Sequence, residues 1–315
     1  MKSCLLIIPK HFYSFKEYIS KTLEAKGYEV TLANDEYPES NVGRLVGKFF
    51  YRLLWSITEK QYDAEFINNK HYDLVLIFKG RGLSPSLIEK IKKVSDRVIA
   101  YNWDSFILNK APLNWYKLIT KYYTFDYRDA EQFHLPIVEL FSSSNAISEK
   151  HISYQLCSIV RNHSSRLSYI DKVLKIMQPE SFFLSVFEQN YMTMVFNFIR
   201  NPFLYLKYRQ YISFKPLNYS KYTEVMSASE FTIDYAHETQ TGITMRCFEA
   251  INTKTKIITN NPYIKRSTCF VETDYIIFED MDKPEVLLQS YETLKNIPYA
   301  SSPRRITHFI DDLLA

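Results

Sequence analysis

The sequence predicts an α/β protein made of two doubly wound parallel-sheet domains. Three observations carry that expectation. The chain has 315 residues, enough for two cores of roughly 150 residues each. Short apolar runs alternate with helical patterns along its length, as in βαβ units. The runs are also apolar without a period of two, which is what strands buried on both faces of a parallel sheet require.

Residues 4–8 (CLLII) read as the first strand, and 15–26 as a helix with Tyr18, Ile19 and Leu23 on one stripe. Gly27 stops that helix before a strand at 28–32. YDLVLIF at 72–78 is the third strand. Ser84 and Pro85 read as N-cap and first helical residue of a helix over 84–94, followed by a fourth strand at 97–101. Strands at 122–125 and 137–141 complete the sheet. A serine-rich stretch at 141–150 reads as a linker, so the domains are expected at 1–145 and 146–300. The second domain restarts with a strand at 154–160, a helix at 165–177 and a strand at 182–187. A long aromatic helical region covers 191–208, with a strand at 211–214 and a helix at 220–228 after it. FTIDY at 231–235 is a strand, 243–251 a helix and 256–260 a strand, and 301–315 holds a short amphipathic helix.

Composition excludes several classes. Hydrophobic residues at 46% and charged residues at 23% are ordinary globular usage, which rules out disordered and coiled-coil chains. Only 6 Gly stand against 25 Tyr and 22 Phe, too few for chemistry built on repeated glycine-rich phosphate loops. A net charge of +4 with no long block of one sign argues against a nucleic-acid binder. The four Cys lie far apart and read as reduced thiols, and no stretch approaches the ~18 apolar residues of a spanning helix. A cytoplasmic protein is the expectation.

The stretch DYAHETQTGITMRCFEAI at 234–251 is the most informative. It follows a strand and opens a helix, where doubly wound sheets place ligands. Gly242, Arg246 and Glu249 stand at i, i+4 and i+7 and would share one helical face. Gly242 would let a diphosphate approach the helix N-terminus, Arg246 would supply a forked cation, and Glu249 would accept ribose hydroxyls. An ordinary Arg–Glu pair on a solvated helix fits the same spacing.

The pattern DxxHxxQTGxTxRxFEA, followed by KxITNN, resembles the donor-binding region of bacterial GT-B-type glycosyltransferases that occur with capsular polysaccharide, lipopolysaccharide and exopolysaccharide genes. IIP at 7–9, YDLVLIFKG at 72–80, WDS at 103–105 and FKPL at 214–217 extend the likeness over most of the chain. The resemblance implies two Rossmann-like domains facing a cleft, with an acceptor in the first and a nucleotide-sugar donor in the second. It also implies a terminal helix returning to the first domain. Donor binding would fall to Lys215, Gln240, Thr241, Gly242, Thr244, Arg246 and Glu249, with His237 near the sugar or phosphate. Two departures stand out. Thr241 replaces the first of the two glutamates, eight residues apart, that many retaining members carry. In place of the usual glycine after the first strand of the second domain come Arg161, His163 and Arg166, readable as phosphate donors or as surface cations.

For a catalytic base the first candidate is Asp104, an isolated carboxylate at a strand end that could equally be an N-cap. His237 is the second, and could instead position the donor. Asp126 and Asp129 read as a turn leading into a helix. Gly80 and Gly82 form a GxG without the rest of a dinucleotide fingerprint and read as relief of crowding. No metal ligand set and no cofactor beyond the nucleotide sugar are expected. Aromatic, basic segments at 48–55 and 196–211 suit either core helices or peripheral contact with the inner membrane face, where a lipid-linked glycan acceptor would reside. The leading expectation is a glycosyltransferase acting on a surface-glycan acceptor. A sugar-nucleotide epimerase or isomerase, or a binding protein that has lost catalysis, are the alternatives.

Overall fold

The computed structural model describes residues 1–10, 15–143, 150–279 and 281–315. They form two compact units. Unit 1 comprises Met1–Glu139, Thr239–Gly242 and Arg305–Ala315, and unit 2 comprises Leu140–Glu238 and Ile243–Arg304. The expected boundary at 145/146 lies outside the described residues.

Unit 1 alternates β1 (Lys2–Ile7), α1 (Phe15–Ala25), β2 (Tyr28–Ala33), α2 (Asn41–Phe50), α3 (Trp55–Tyr62), β3 (Leu74–Phe78), α4 (Pro85–Lys93), β4 (Val98–Asn102), β5 (Lys121–Thr124) and α5 (Tyr127–Phe133). Among the described residues the sheet has the order β2-β1-β3-β4-β5, with every pairing parallel. All five residues of β3 are buried, as its unbroken apolar run requires. Helix α4 begins where its caps say it should: Ser84 Oγ accepts from Leu87 N at 3.0 Å, and Pro85 takes the first position, where no N–H is needed. The expected strand at 137–141 is not formed; only Ile137 bridges to Thr124. Pro136 brings no N–H to a ladder there, and beyond Val138 the backbone is held instead by Arg304, whose Nε donates to Leu140 O at 3.0 Å. The terminal helix α12 (Ile306–Leu314) belongs to unit 1, with Phe309 fully buried and its ring 5.1 Å from Tyr101 and 5.8 Å from Trp103.

Unit 2 contains β6 (Tyr154–Arg161), α6 (Arg166–Met177), β7 (Phe182–Phe187), α7 (Tyr191–Arg200), α8 (Pro202–Tyr208), β8 (Ile212–Ser213), α9 (Tyr219–Ser227), β9 (Ser229–Asp234), α10 (Met245–Asn252), β10 (Lys256–Thr259), β11 (Tyr275–Ile277) and α11 (Pro284–Leu294). Its parallel sheet runs β11-β10-β9-β6-β7-β8. Numbered from the first strand of the unit, this is the order 3-2-1-4-5-6 of nucleotide-binding sheets, with the switch point between β6 and β9. The long helix expected at 191–208 is two helices. Pro202 lacks an N–H and bars the α conformation from Asn201, which sits at φ −152°, ψ 80°.

Candidate functional site

The switch point of unit 2 collects cations. Asp234 ends β9 and is 1% exposed. Its carboxylate accepts from Arg246 Nη1 at 2.7 Å and from Thr244 Oγ1 at 2.7 Å. Arg246 Nη2 donates to Ile159 O in β6 at 2.8 Å, so the side chain spans the crevice between the two strands. Burial is the largest single influence and works against its charge, but Asp234, Tyr222 and Cys247 together outweigh it and hold the guanidinium charged above its ordinary range. Its Nε is buried without a hydrogen-bond partner.

Arg166, the first residue of α6, faces the same crevice. Its Nη2 donates to Tyr235 O at 3.3 Å, and its Nη1 to Arg161 O at 3.2 Å and to His163 Nε2 at 3.1 Å. Its Nε is also buried and unpartnered. Burial, and then the like charge of Arg246, lower its pKa to about 10. His163 is pushed down to about 3, first by burial and then by Arg166. Its ring lies 6.1 Å from that of His237, whose pKa is also lowered by burial. Two guanidiniums with orphaned donors, a neutral histidine and the uncapped first turn of α6 make this a strongly anion-seeking environment. Ser164 takes the left-handed conformation (φ 55°) in the turn before α6, the position where glycine was expected. His163 and Arg166 therefore line this crevice, and only Arg161 of the three is exposed.

The pH consequence has a defined sign. A histidine neutral in the fold to about 3 but titrating near 6.5 when unfolded costs stability as pH falls through that window, because the unfolded chain binds the extra proton. Acidification from pH 7 to 5 is therefore expected to lower the melting temperature of the parent more than that of His163→Gln. Equal losses in the two proteins would show that His163 is not held neutral.

The other sequence candidates are dispersed. Glu249 is 4% exposed, and its carboxylate accepts from Ser142 Oγ at 2.7 Å, Ser143 N at 3.0 Å and Ser143 Oγ at 2.9 Å. Gly242 does not open the helix. Thr244 is the N-cap residue and α10 starts at Met245. A Cβ at 242 would lie 2.3 Å from the Phe125 ring, so close packing requires the glycine. Thr241 donates through N and Oγ1 to Asp126 at 2.6 and 2.8 Å, and Gly242 N to the same carboxylate at 3.3 Å. Asp126 also caps α5, accepting from Arg128 N and Asp129 N. Gln240 is half-buried in the same short segment. Lys215 is exposed after β8, three strands from β9 and so roughly 14 Å away across the sheet.

Asp104 belongs to a separate cavity of about 490 Å³ in unit 1, at the carboxyl ends of β1–β4. It pairs with Lys79 at 2.6 Å. Asp35 lines the same cavity, 2% exposed, and burial together with neighbouring Glu36 raises its pKa to about 6. Arg81 holds Glu36 through Nε at 2.7 Å and its own N donates to Asp35 Oδ2 at 3.1 Å. Gly82 makes this possible, since a Cβ there would sit 2.7 Å from Glu36 Cα. Asp35 and Glu36 are missing from the sequence candidates although they directly follow β2, the position from which Asp104 was chosen after β4.

No protein-family model and no curated protein matches the sequence. Solved structures do match. A UDP-GlcNAc 2-epimerase from Methanocaldococcus jannaschii, in complex with UDP-GlcNAc and UDP, aligns over 100% of this chain and 99% of its own at 11% identity and TM-score 0.58. The lipopolysaccharide outer core galactosyltransferase WaaB aligns over 99% of both chains at 9% identity and TM-score 0.58. AviGT4, a glycosyltransferase of avilamycin A biosynthesis, covers 93% of this chain and 89% of its own at 10% identity and TM-score 0.55. The fold is GT-B. Glycosyltransferases and an epimerase both adopt this fold, so the likeness shows the architecture and does not choose between their chemistries.

Proposed function

We propose that the protein transfers a sugar from a nucleotide-diphosphate donor to a surface-glycan acceptor of the capsule, lipopolysaccharide or exopolysaccharide type. The observation that carries this reading is the pair of orphaned guanidinium nitrogens, on Arg166 and Arg246, at the switch point of a nucleotide-ordered sheet. In this reading both arginines take the diphosphate and supply the charge that a departing nucleotide needs. Thr244 and His237 flank it, and Glu249 takes the ribose. Gln240, Thr241 and Gly242 shape the segment leading into α10, and Lys215 is assigned to the donor only if its segment folds inward.

The acceptor proton goes to Asp104, with Asp35 as a second carboxylate in the same cavity. Asp104→Asn is expected to leave nucleotide affinity within twofold of the parent and to lower transfer by roughly 100-fold or more. Parental turnover in that variant would remove Asp104 from the mechanism. The acceptor is proposed to be a glycan or lipid-linked glycan at the inner membrane face, reached from the cytoplasm. No helix among the described residues is long and apolar enough to cross a membrane.

A thermal-shift screen of nucleoside diphosphates and their sugars tests the donor reading. A ligand at 100 times its Kd adds about 2.7 kcal/mol of stability. A screen in which none raises the melting temperature would sink it. A second reading, nucleotide-sugar 2-epimerisation, is favoured by the equal likeness to the epimerase. Conversion of the sugar by NMR with no acceptor present would select it.

A further inference from the structure

We infer that α7 and α8 form a docking face for an anionic lipid bilayer. The inference rests in part on the membrane-borne acceptor proposed above, but its physical basis is separate. Helix α7 is inverted. Its polar residues point into unit 2, where Thr193 Oγ1 and Asn197 Nδ2 bond the fully buried Glu188 at 3.2 and 3.0 Å. Asn197 Nδ2 also donates to Asn162 O at 3.2 Å. Asn190 fixes the start of the helix through a reciprocal capping box with Thr193. The polar stripe is thus anchored and the apolar one is left outside.

That outward stripe is large. Met192 is 83% exposed, Phe196 67%, Ile199 72% and Phe203 87%, with Val195 and Leu206 about half exposed between them. No described residue of α7 is buried, although most of its side chains are apolar. Helix α8 continues the face and is tied down at its far end, where Tyr208 OH and Lys207 Nζ reach Asp171 at 2.8 and 2.6 Å. A rigid, pre-formed apolar ridge of this kind has no reason to be outside unless something covers it.

Charge identifies the occupant. Between positions 191 and 223 the sequence contains Arg200, Lys207, Arg209, Lys215 and Lys221 and no Asp or Glu; Lys207 is paired with Asp171 and Lys221 with Glu224, which leaves Arg200, Arg209 and Lys215 to carry the positive charge. Arg200 is exposed at the end of α7 and Arg209 immediately after α8. Aromatic rings at headgroup depth with cations beside them suit an anionic interface. A second copy of the chain is disfavoured, because a two-fold contact would set this cationic rim against itself. An anionic bilayer matches both the apolar ridge and the exposed, positively charged Arg200, Arg209 and Lys215 in the same stretch.

Flotation tests this with the full-length protein, using vesicles of phosphatidylcholine alone and of phosphatidylcholine with phosphatidylglycerol. The parent should float with the phosphatidylglycerol vesicles, more weakly as salt screens the attraction, and remain below with phosphatidylcholine. Ile199→Ser with Phe203→Ser should weaken vesicle binding roughly tenfold or more, at unchanged melting temperature because both side chains are solvent-exposed in the fold. Arg200→Glu with Arg209→Glu should remove the salt-dependent part. A parent that stays below with anionic vesicles overturns the inference. So does a parent that is dimeric by light scattering while the serine variant is monomeric. The assay contains no nucleotide or sugar, so its outcome is independent of the donor screen.

Discussion

Arg246→Met is expected to destabilise unit 2 by about 3–5 kcal/mol, read as a fall in the urea midpoint. The cause is what remains. Asp234 is 1% exposed and loses the only guanidinium among its described partners, keeping Thr244 Oγ1 at 2.7 Å and Thr259 Oγ1 at 3.4 Å. A buried carboxylate with two hydroxyl donors and no hydrogen-bonded cation, with only the field of Arg166 to offset it, must either carry a poorly compensated charge or take a proton. Adding Asp234→Asn to the same chain should recover a large part of the loss by removing that charge. If Arg246→Met unfolds within about 1 kcal/mol of the parent, the Asp234 pair does not hold the switch point together.

Arg166→Met should behave in the opposite way. No carboxylate pairs with this guanidinium among the bonds it makes, and it sits desolvated beside Arg246. Its removal relieves a like-charge contact while forfeiting three long bonds, so stability should stay within about 1 kcal/mol of the parent. Nucleoside-diphosphate affinity should fall by about 1.5–3 kcal/mol, roughly 10- to 100-fold by calorimetry, because a charge-assisted bond to phosphate is lost. Unchanged affinity would show that the anion is held elsewhere. Together the two variants separate what each arginine contributes to folding from what it contributes to the proposed nucleotide binding.

Elements whose signals are local were legible in the sequence. The fully buried run of β3 and the Ser84–Pro85 start of α4 both depend on residues within a few positions of each other. The break at Asn201–Pro202 was equally local, but the continuous aromatic pattern on both sides hid it. The apolar run at 137–141 misled in the other direction, since burial can be met by irregular backbone when another segment supplies its hydrogen bonds.

The candidate site was legible only in outline. Arg246 and Glu249 stand out by spacing, yet their partners do not. Ser142 and Ser143, which hold Glu249, lie more than 100 residues earlier in the chain. Arg166 looked like one basic residue among three, and its exceptional character comes from burial beside Arg246, which periodicity does not encode. The outward-facing stripe of α7 reads in sequence as an ordinary amphipathic helix. Which stripe faces solvent is set by Glu188 on a neighbouring strand end.

The sequence by itself therefore determined the alternation of strands and helices, the doubly wound class and the stretch 234–251 as the place to look. Those follow from local periodicity, capping and turn chemistry, which act over a few residues. Only the tertiary structure decided which charges are paired and which keep buried, unpartnered donors. It placed Thr241 and Gly242 against Asp126, Glu249 against two serines, and two arginines at one switch point. Charge pairing and desolvation depend on distances between segments far apart in the chain, and those distances exist only once the sheets have formed.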